Sequence, residues 1–122
     1  MAKKILVIDD EKDILVVTRV RLQSTGYSVI TAESCEEALE ILKTNVPDLI
    51  FLDLILPKMQ GEELCKKLKA DPKYKKIPII IFTAKVIHMT EDIKAMGAND
   101  FLIKPFESED LISKVKKYIG PA

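Results

Sequence analysis

The chain has 122 residues, 48 % of them hydrophobic and 31 % charged, with a net charge of zero, a length that suits one domain burying roughly two-thirds of its unfolded surface. No apolar run reaches the roughly 18 residues of a membrane span, and the short run in "MAKKILVIDDEK" meets acids at once where a signal peptide would continue apolar, so a cytoplasmic protein with no membrane contact is expected. Cys35 and Cys65 have no C-x-x-C partner and no accompanying histidines, which excludes a zinc or thioredoxin-type site and leaves two reduced, structural thiols.

Short apolar runs rich in β-branched residues predict strands at Lys4 to Ile8, Ser28 to Thr31, Leu49 to Leu52, Ile77 to Phe82 and Phe101 to Ile103. Segments with helical spacing lie between them. Ile14, Leu15, Thr18 and Leu22 form an inward stripe ahead of a stop at Gly26, leaving Val16, Val17 and Val20 beyond it. Ser34, three before Glu37, reads as a capping box for the second helix. Gly61 to Ala70 makes the third helix, with Asp71-Pro72 ending it. Thr90 to Met96 is a short fourth helix stopped by Gly97, and Ser108 is expected to cap a fifth that turns Leu111, Ile112, Val115, Tyr118 and Ile119 inward. The lysines 66, 67, 69, 73, 75 and 76 have only Tyr74 interleaved, so they read as a solvated face and not as a nucleic-acid surface.

Alternating strands and helices, with strands apolar throughout, imply a parallel sheet covered on both faces. Functional groups in such sheets gather beyond the carboxyl ends of the strands. The strands here end in Asp9-Asp10, Asp53, Thr83-Ala84 and Lys104-Pro105. Three carboxylates brought together repel one another unless a hard cation joins them, and oxygen donors of this kind suit Mg2+, with Mn2+ as an alternative. Lys104 adds a fixed positive charge. Metal, ammonium and the Thr83 hydroxyl would together receive an anionic phosphoryl group, making Asp53 the nucleophile that carries it as an acyl phosphate.

The runs "ILVIDDE", "LIFLDLILPKMQG", "IIIFTA" and "GANDFLIKPF", in this order, resemble the receiver domains of two-component response regulators, including the chemotaxis type. The likeness covers essentially the whole chain as one domain, residues 1–122, and implies a flavodoxin-like doubly wound α/β fold: a five-stranded parallel sheet ordered 2-1-3-4-5 with five helices. It also implies a phosphoacceptor signalling switch, with a sensor histidine kinase or histidine phosphotransfer protein as donor and a downstream protein as target.

The resemblance assigns metal ligation to Asp10, Asp53 and the backbone carbonyl of Ile55, with Asp9 acting mainly through a coordinated water. It implies a cis peptide before Pro105, and a switch in which Thr83 moves toward the phosphoryl group as Phe101 turns inward. The output surface would then be the fourth helix, fifth strand and fifth helix. Ile55 and Lys85 fall where the family tunes phosphoryl lifetime; neither orients an attacking water, so a long-lived phospho-form is expected. The valines at 16, 17 and 20 are candidates for the docking surface of the donor. His88 reads as an ordinary loop residue.

Rival readings are weaker. An aspartyl phosphatase needs a second acid two residues past its nucleophile, where this chain has Ile55. A flavin or dinucleotide binder needs a glycine-rich loop after the first strand, where this chain has Asp-Asp-Glu. An interaction-only receiver would have no use for Asp9, Asp10, Asp53, Thr83 and Lys104 together. The expected class is a signalling domain that catalyses only its own phosphorylation and dephosphorylation, and a single-domain regulator is favoured over a receiver excised from a longer chain.

Overall fold

A computed structural model describes residues 2–84 and 89–122. The strands are β1 (Lys4–Ile8), β2 (Ser28–Ala32), β3 (Leu49–Leu52), β4 (Ile79–Thr83) and β5 (Asp100–Ile103). They alternate with α1 (Lys12–Ser24), α2 (Cys35–Leu42), α3 (Gly61–Ala70), α4 (Met89–Met96) and α5 (Ser108–Ile119). All neighbours pair in parallel, in the order β2-β1-β3-β4-β5, as expected.

Burial of both sheet faces explains the continuous apolar strands, because successive side chains point to opposite sides. Leu6, Ile8, Ile50, Leu52, Ile79 and Ile81 face α2, α3 and α4, whose Ala38, Leu42, Leu64, Leu68, Ile93 and Met96 complete one core. Ile5, Val7, Leu49, Phe51, Ile80 and Phe82 face α1 and α5, whose Leu15, Leu22, Leu111 and Val115 complete the other. Cys35 and Cys65 are free and buried in the first core, and burial pushes their thiols up to about 12 and about 11. Inert, structural thiols fit those values.

Several boundaries differ from the sequence reading: β2 runs on to Ala32 and β4 to Thr83, β5 starts at Asp100 and α4 at Met89. The fourth strand begins at Ile79, not Ile77, because the Ile77 N–H is captured by Tyr74 in the preceding turn at 3.0 Å. Ser108 is the first residue of α5 and not its cap; the cap position falls to Glu107, which offers no side-chain bond. Ser34 does cap α2, accepting from the Glu37 N–H at 3.1 Å.

The lysine-rich stretch proves mostly local. Lys66 pairs with Glu62 at 3.2 Å, Lys73 lies over the Tyr74 ring, and Lys69 turns inward to the Ile77 carbonyl and the Asn99 side chain, each at 2.8 Å. Among the described residues no helix is long and apolar enough to cross a membrane.

Candidate functional site

Each strand-end residue is fixed through its backbone to the strand beside it. The Asp9 N–H donates to the Ala32 carbonyl at the end of β2, that of Asp53 to Ile8 at the end of β1, and that of Lys104 to Thr83 at the end of β4, all at 3.0 Å. The sheet ladder thus continues one residue past the strands, and the three side chains leave from rigid backbone.

The loop after β3 is held as tightly. Gly61 donates its N–H to the Leu54 carbonyl at 3.1 Å, and a Cβ at this position would stand only 2.0 Å from the Asp53 carbonyl oxygen. Glycine is therefore required for α3 to start against the backbone of Asp53.

Asp9 and Asp53 use their carboxylates alike. Oδ1 of Asp9 accepts from the Glu11 N–H at 2.9 Å, and Oδ1 of Asp53 accepts from the Ile55 N–H at 3.2 Å. Both Oδ2 atoms accept from the Lys104 ammonium, at 2.5 Å for Asp9 and 3.1 Å for Asp53. Glu11 adds a third carboxylate 3.3 Å from the same ammonium.

Asp9, Asp53 and Thr83 are buried, while Asp10 is exposed at the mouth. Burial is the main influence on Asp9 and pushes its carboxyl up to about 6, against the lowering effect of Lys104 and the Glu11 N–H. For Lys104, burial alone would favour the neutral amine, but its bonds to Asp9 and Asp53 outweigh that and raise it above the ordinary lysine range.

Asp10, Glu11, Asp53, Ile55, Thr83, Ala84 and Lys104 line a cavity of about 240 Å³. A larger depression of about 480 Å³ along α5 has no comparable convergence of ionisable groups, so chemistry and not size marks the site.

The five residues expected to act together therefore meet, with Ile55 at the rim and its side chain 59 % exposed. The peptide between Lys104 and Pro105 is cis. Phe101 stands half-buried on β5, packed against the core shared with α4, with the Lys114 ammonium 5.8 Å from its ring centroid. Val16, Val17 and Val20 are exposed, as expected. Lys85 and His88 lie outside the described residues.

The sequence reading missed Glu11. Its carboxylate joins those of Asp9, Asp10 and Asp53, with one ligand oxygen from each lying within 4.8 Å of the others. Adjacency to the acidic pair was the available signal.

Residues 5–116 match the family described as "Response regulator receiver domain". The chain belongs to that family. This receiver is 42 % identical over 117 residues to the alkaline phosphatase synthesis transcriptional regulatory protein PhoP of Bacillus subtilis, covering 95 % of this chain and 48 % of that one. A putative response regulator from Chloroflexus aurantiacus matches its structure with a TM-score of 0.92 and 35 % identity over 97 % of this chain and 98 % of that one. The receiver domain of the sensor histidine kinase PA1611 from Pseudomonas aeruginosa, solved with a magnesium ion coordinated in its active-site cleft, matches with a TM-score of 0.89 and 27 % identity over 98 % and 99 % of the two chains. The receiver spans about half the length of the curated relatives it matches. Its sheet order and five helices are those of the flavodoxin-like receiver fold.

Proposed function

We propose that Asp53 accepts a phosphoryl group from the phosphohistidine of a sensor histidine kinase or histidine phosphotransfer protein, in a reaction that requires Mg2+. The observation that carries this reading is the shared use of Lys104 by Asp9 and Asp53, which orients a buried carboxylate beside a fixed ammonium at the floor of an open cavity. The donor set is all oxygen and closely spaced, which fits a hard divalent cation. Asp10, Asp53 and the Ile55 carbonyl would hold it, with Asp9 behind. Bound there, it supplies positive charge that offsets the carboxylates and the incoming phosphoryl oxygens.

In the transfer, an Asp53 carboxylate oxygen forms the new bond to phosphorus as the bond from phosphorus to the donor imidazole nitrogen breaks, and the electron pair stays with that nitrogen. Lys104 exchanges a carboxylate for a phosphoryl oxygen, and the Thr83 hydroxyl donates to another. The modification adds about −1.5 to −2 charges. Movement of Thr83 and rotation of Phe101 then bias the surface made by α4, β5 and α5, where a downstream protein binds. The exposed valines of α1 form part of the donor's docking face. The protein is a signalling domain whose only chemistry is its own phosphorylation and dephosphorylation, and the apolar Ile55 side chain disfavours turnover as an aspartyl phosphatase.

Acetyl phosphate and Mg2+ should give the intact protein one phosphoryl mass increment, abolished in Asp53→Asn and by removal of the metal. An increment that persists in Asp53→Asn would assign the acceptor elsewhere.

A further inference from the structure

Phe82 is the last residue of β4 before Thr83, and its ring is fully buried. The Lys104 ammonium lies over that ring, 5.1 Å from its centroid. The sheet explains the meeting: Phe82 pairs in register with Leu102, and Lys104, two residues on, leaves β5 on the same side. The ring cannot swing away, because Phe51 packs at 5.6 Å and 58° from one direction and Phe106 at 6.1 Å and 45° from another. Lys104 is thus held from above by three carboxylates and from below by a fixed aromatic face. A cation within about 6 Å of a ring centroid is attracted to that face, more strongly when water is excluded.

The two supports differ in what happens during phosphoryl transfer. The carboxylate contacts are exchanged when the phosphoryl group arrives, whereas the aromatic contact is indifferent to that exchange. A lysine left to its flexible four-carbon stem would otherwise lose its place when Asp9 and Asp53 take new partners.

We infer that Phe82 is a positioning residue for Lys104, an aromatic floor that keeps the ammonium at the phosphoryl site while its carboxylate partners change. The inference rests on the phosphoacceptor reading. It adds a residue on the far side of the lysine, in the core, where no reacting atom touches it.

Beryllofluoride with Mg2+, a phosphoryl mimic, tests both. Titration calorimetry on the wild type, Phe82→Leu and the gentler Phe82→Met should give affinity about three- to thirtyfold weaker in the two variants. Leu22→Ala, which opens the same core away from Lys104, should lower stability while leaving affinity unchanged. The Lys104 ε-methylene proton resonance, shifted upfield by the ring in the wild type, should move toward its free value in both Phe82 variants. Unchanged affinity in folded Phe82 variants, an unmoved Lys104 resonance, or an equal affinity loss in Leu22→Ala would overturn the positioning role alone. Failure of the wild type to bind would bring down the phosphoacceptor reading and the inference with it.

Discussion

The Lys104 ammonium lies 2.5 Å from the carboxylate of Asp9, and the Asp9 side chain is fully buried. Removing one partner of such a pair strands a charge, at a cost of roughly 3–5 kcal/mol. Lys104→Met is therefore expected to lose about 3 kcal/mol of stability at pH 7 without magnesium, measured by urea unfolding. The pH dependence follows from Asp9, whose carboxyl sits at about 6 in the fold against an ordinary 3.8. The native state binds that proton more tightly than the unfolded chain, so the contribution of Asp9 favours folding at low pH and fades as pH rises through 6. The Lys104→Met loss should be smaller at pH 5 than at pH 7. Equal losses at both would mean Asp9 is not stranded.

Asp9, Asp10, Glu11 and Asp53 each bring one carboxylate oxygen within 4.8 Å of the others, and Lys104 pairs with three of them, Asp9, Glu11 and Asp53, so net repulsion remains. Magnesium at about a hundred times its dissociation constant should add about 2.7 kcal/mol, a melting-temperature rise of roughly ten degrees. Asp53→Asn should raise the melting temperature of the metal-free protein and shrink the magnesium effect. A metal-free melting temperature that falls would mean the Lys104 pairing outweighs the repulsion.

At the opposite end of β5, Asp100 binds α5 through Lys114 at 2.8 Å, Tyr118 at 2.9 Å and Lys117 at 3.3 Å. Burial alone would raise its carboxyl, but the Lys114, Phe101 N–H and Tyr118 donors outweigh it and hold the group at about 2, below an ordinary 3.8. Its contribution is present in full above pH 4 and is lost as pH falls through 2. Asp100→Asn should cost about 2 kcal/mol at neutral pH and flatten the acid limb of the stability curve between those values. An unchanged acid limb would count against the latch.

Thr18 faces the core from α1 with no exposed surface, and its hydroxyl has no hydrogen-bond partner among the described residues. An unmatched buried hydroxyl carries a desolvation cost of about 1–3 kcal/mol. The near-isosteric Thr18→Val should stabilise the protein by about 1 kcal/mol in thermal or urea unfolding. Destabilisation would show that the hydroxyl is satisfied in solution.

Ile55 donates its N–H to Asp53 but presents an apolar side chain at the cavity rim. An amide there can orient a water toward the acyl phosphate. Ile55→Asn should shorten the phosphoryl lifetime about fivefold, equivalent to roughly 1 kcal/mol of barrier, followed as decay of the phosphorylated protein after the donor is removed. An unaltered lifetime would assign its control to another position.

Much of the fold could be read along the chain because buried parallel strands leave a plain mark: Leu49 to Leu52 are apolar throughout, and the first ionisable residue after them is Asp53. The same reading set Asp9, Asp10, Thr83 and Lys104 at the strand ends, since polar groups collect where the sheet stops and the cavity opens. The start of the fourth strand was misplaced because Ile77 is as apolar as Ile79, and only the turn through Tyr74 separates it from the sheet.

Strand order and side-chain direction decided the rest. The carboxylates of Glu11 and Asp9 share one ammonium because β5 brings Lys104 across the top of the sheet, a contact spanning more than ninety residues that no local pattern encodes. Phe82 reads in sequence as one more core aromatic. It becomes the floor beneath Lys104 only when β4 and β5 lie side by side in register and the pleat turns both side chains to the same face. Residue types and their order along the chain therefore determined which chemistry was possible, and packing alone determined which charges meet, because Coulomb attraction and desolvation depend on distance and burial in space.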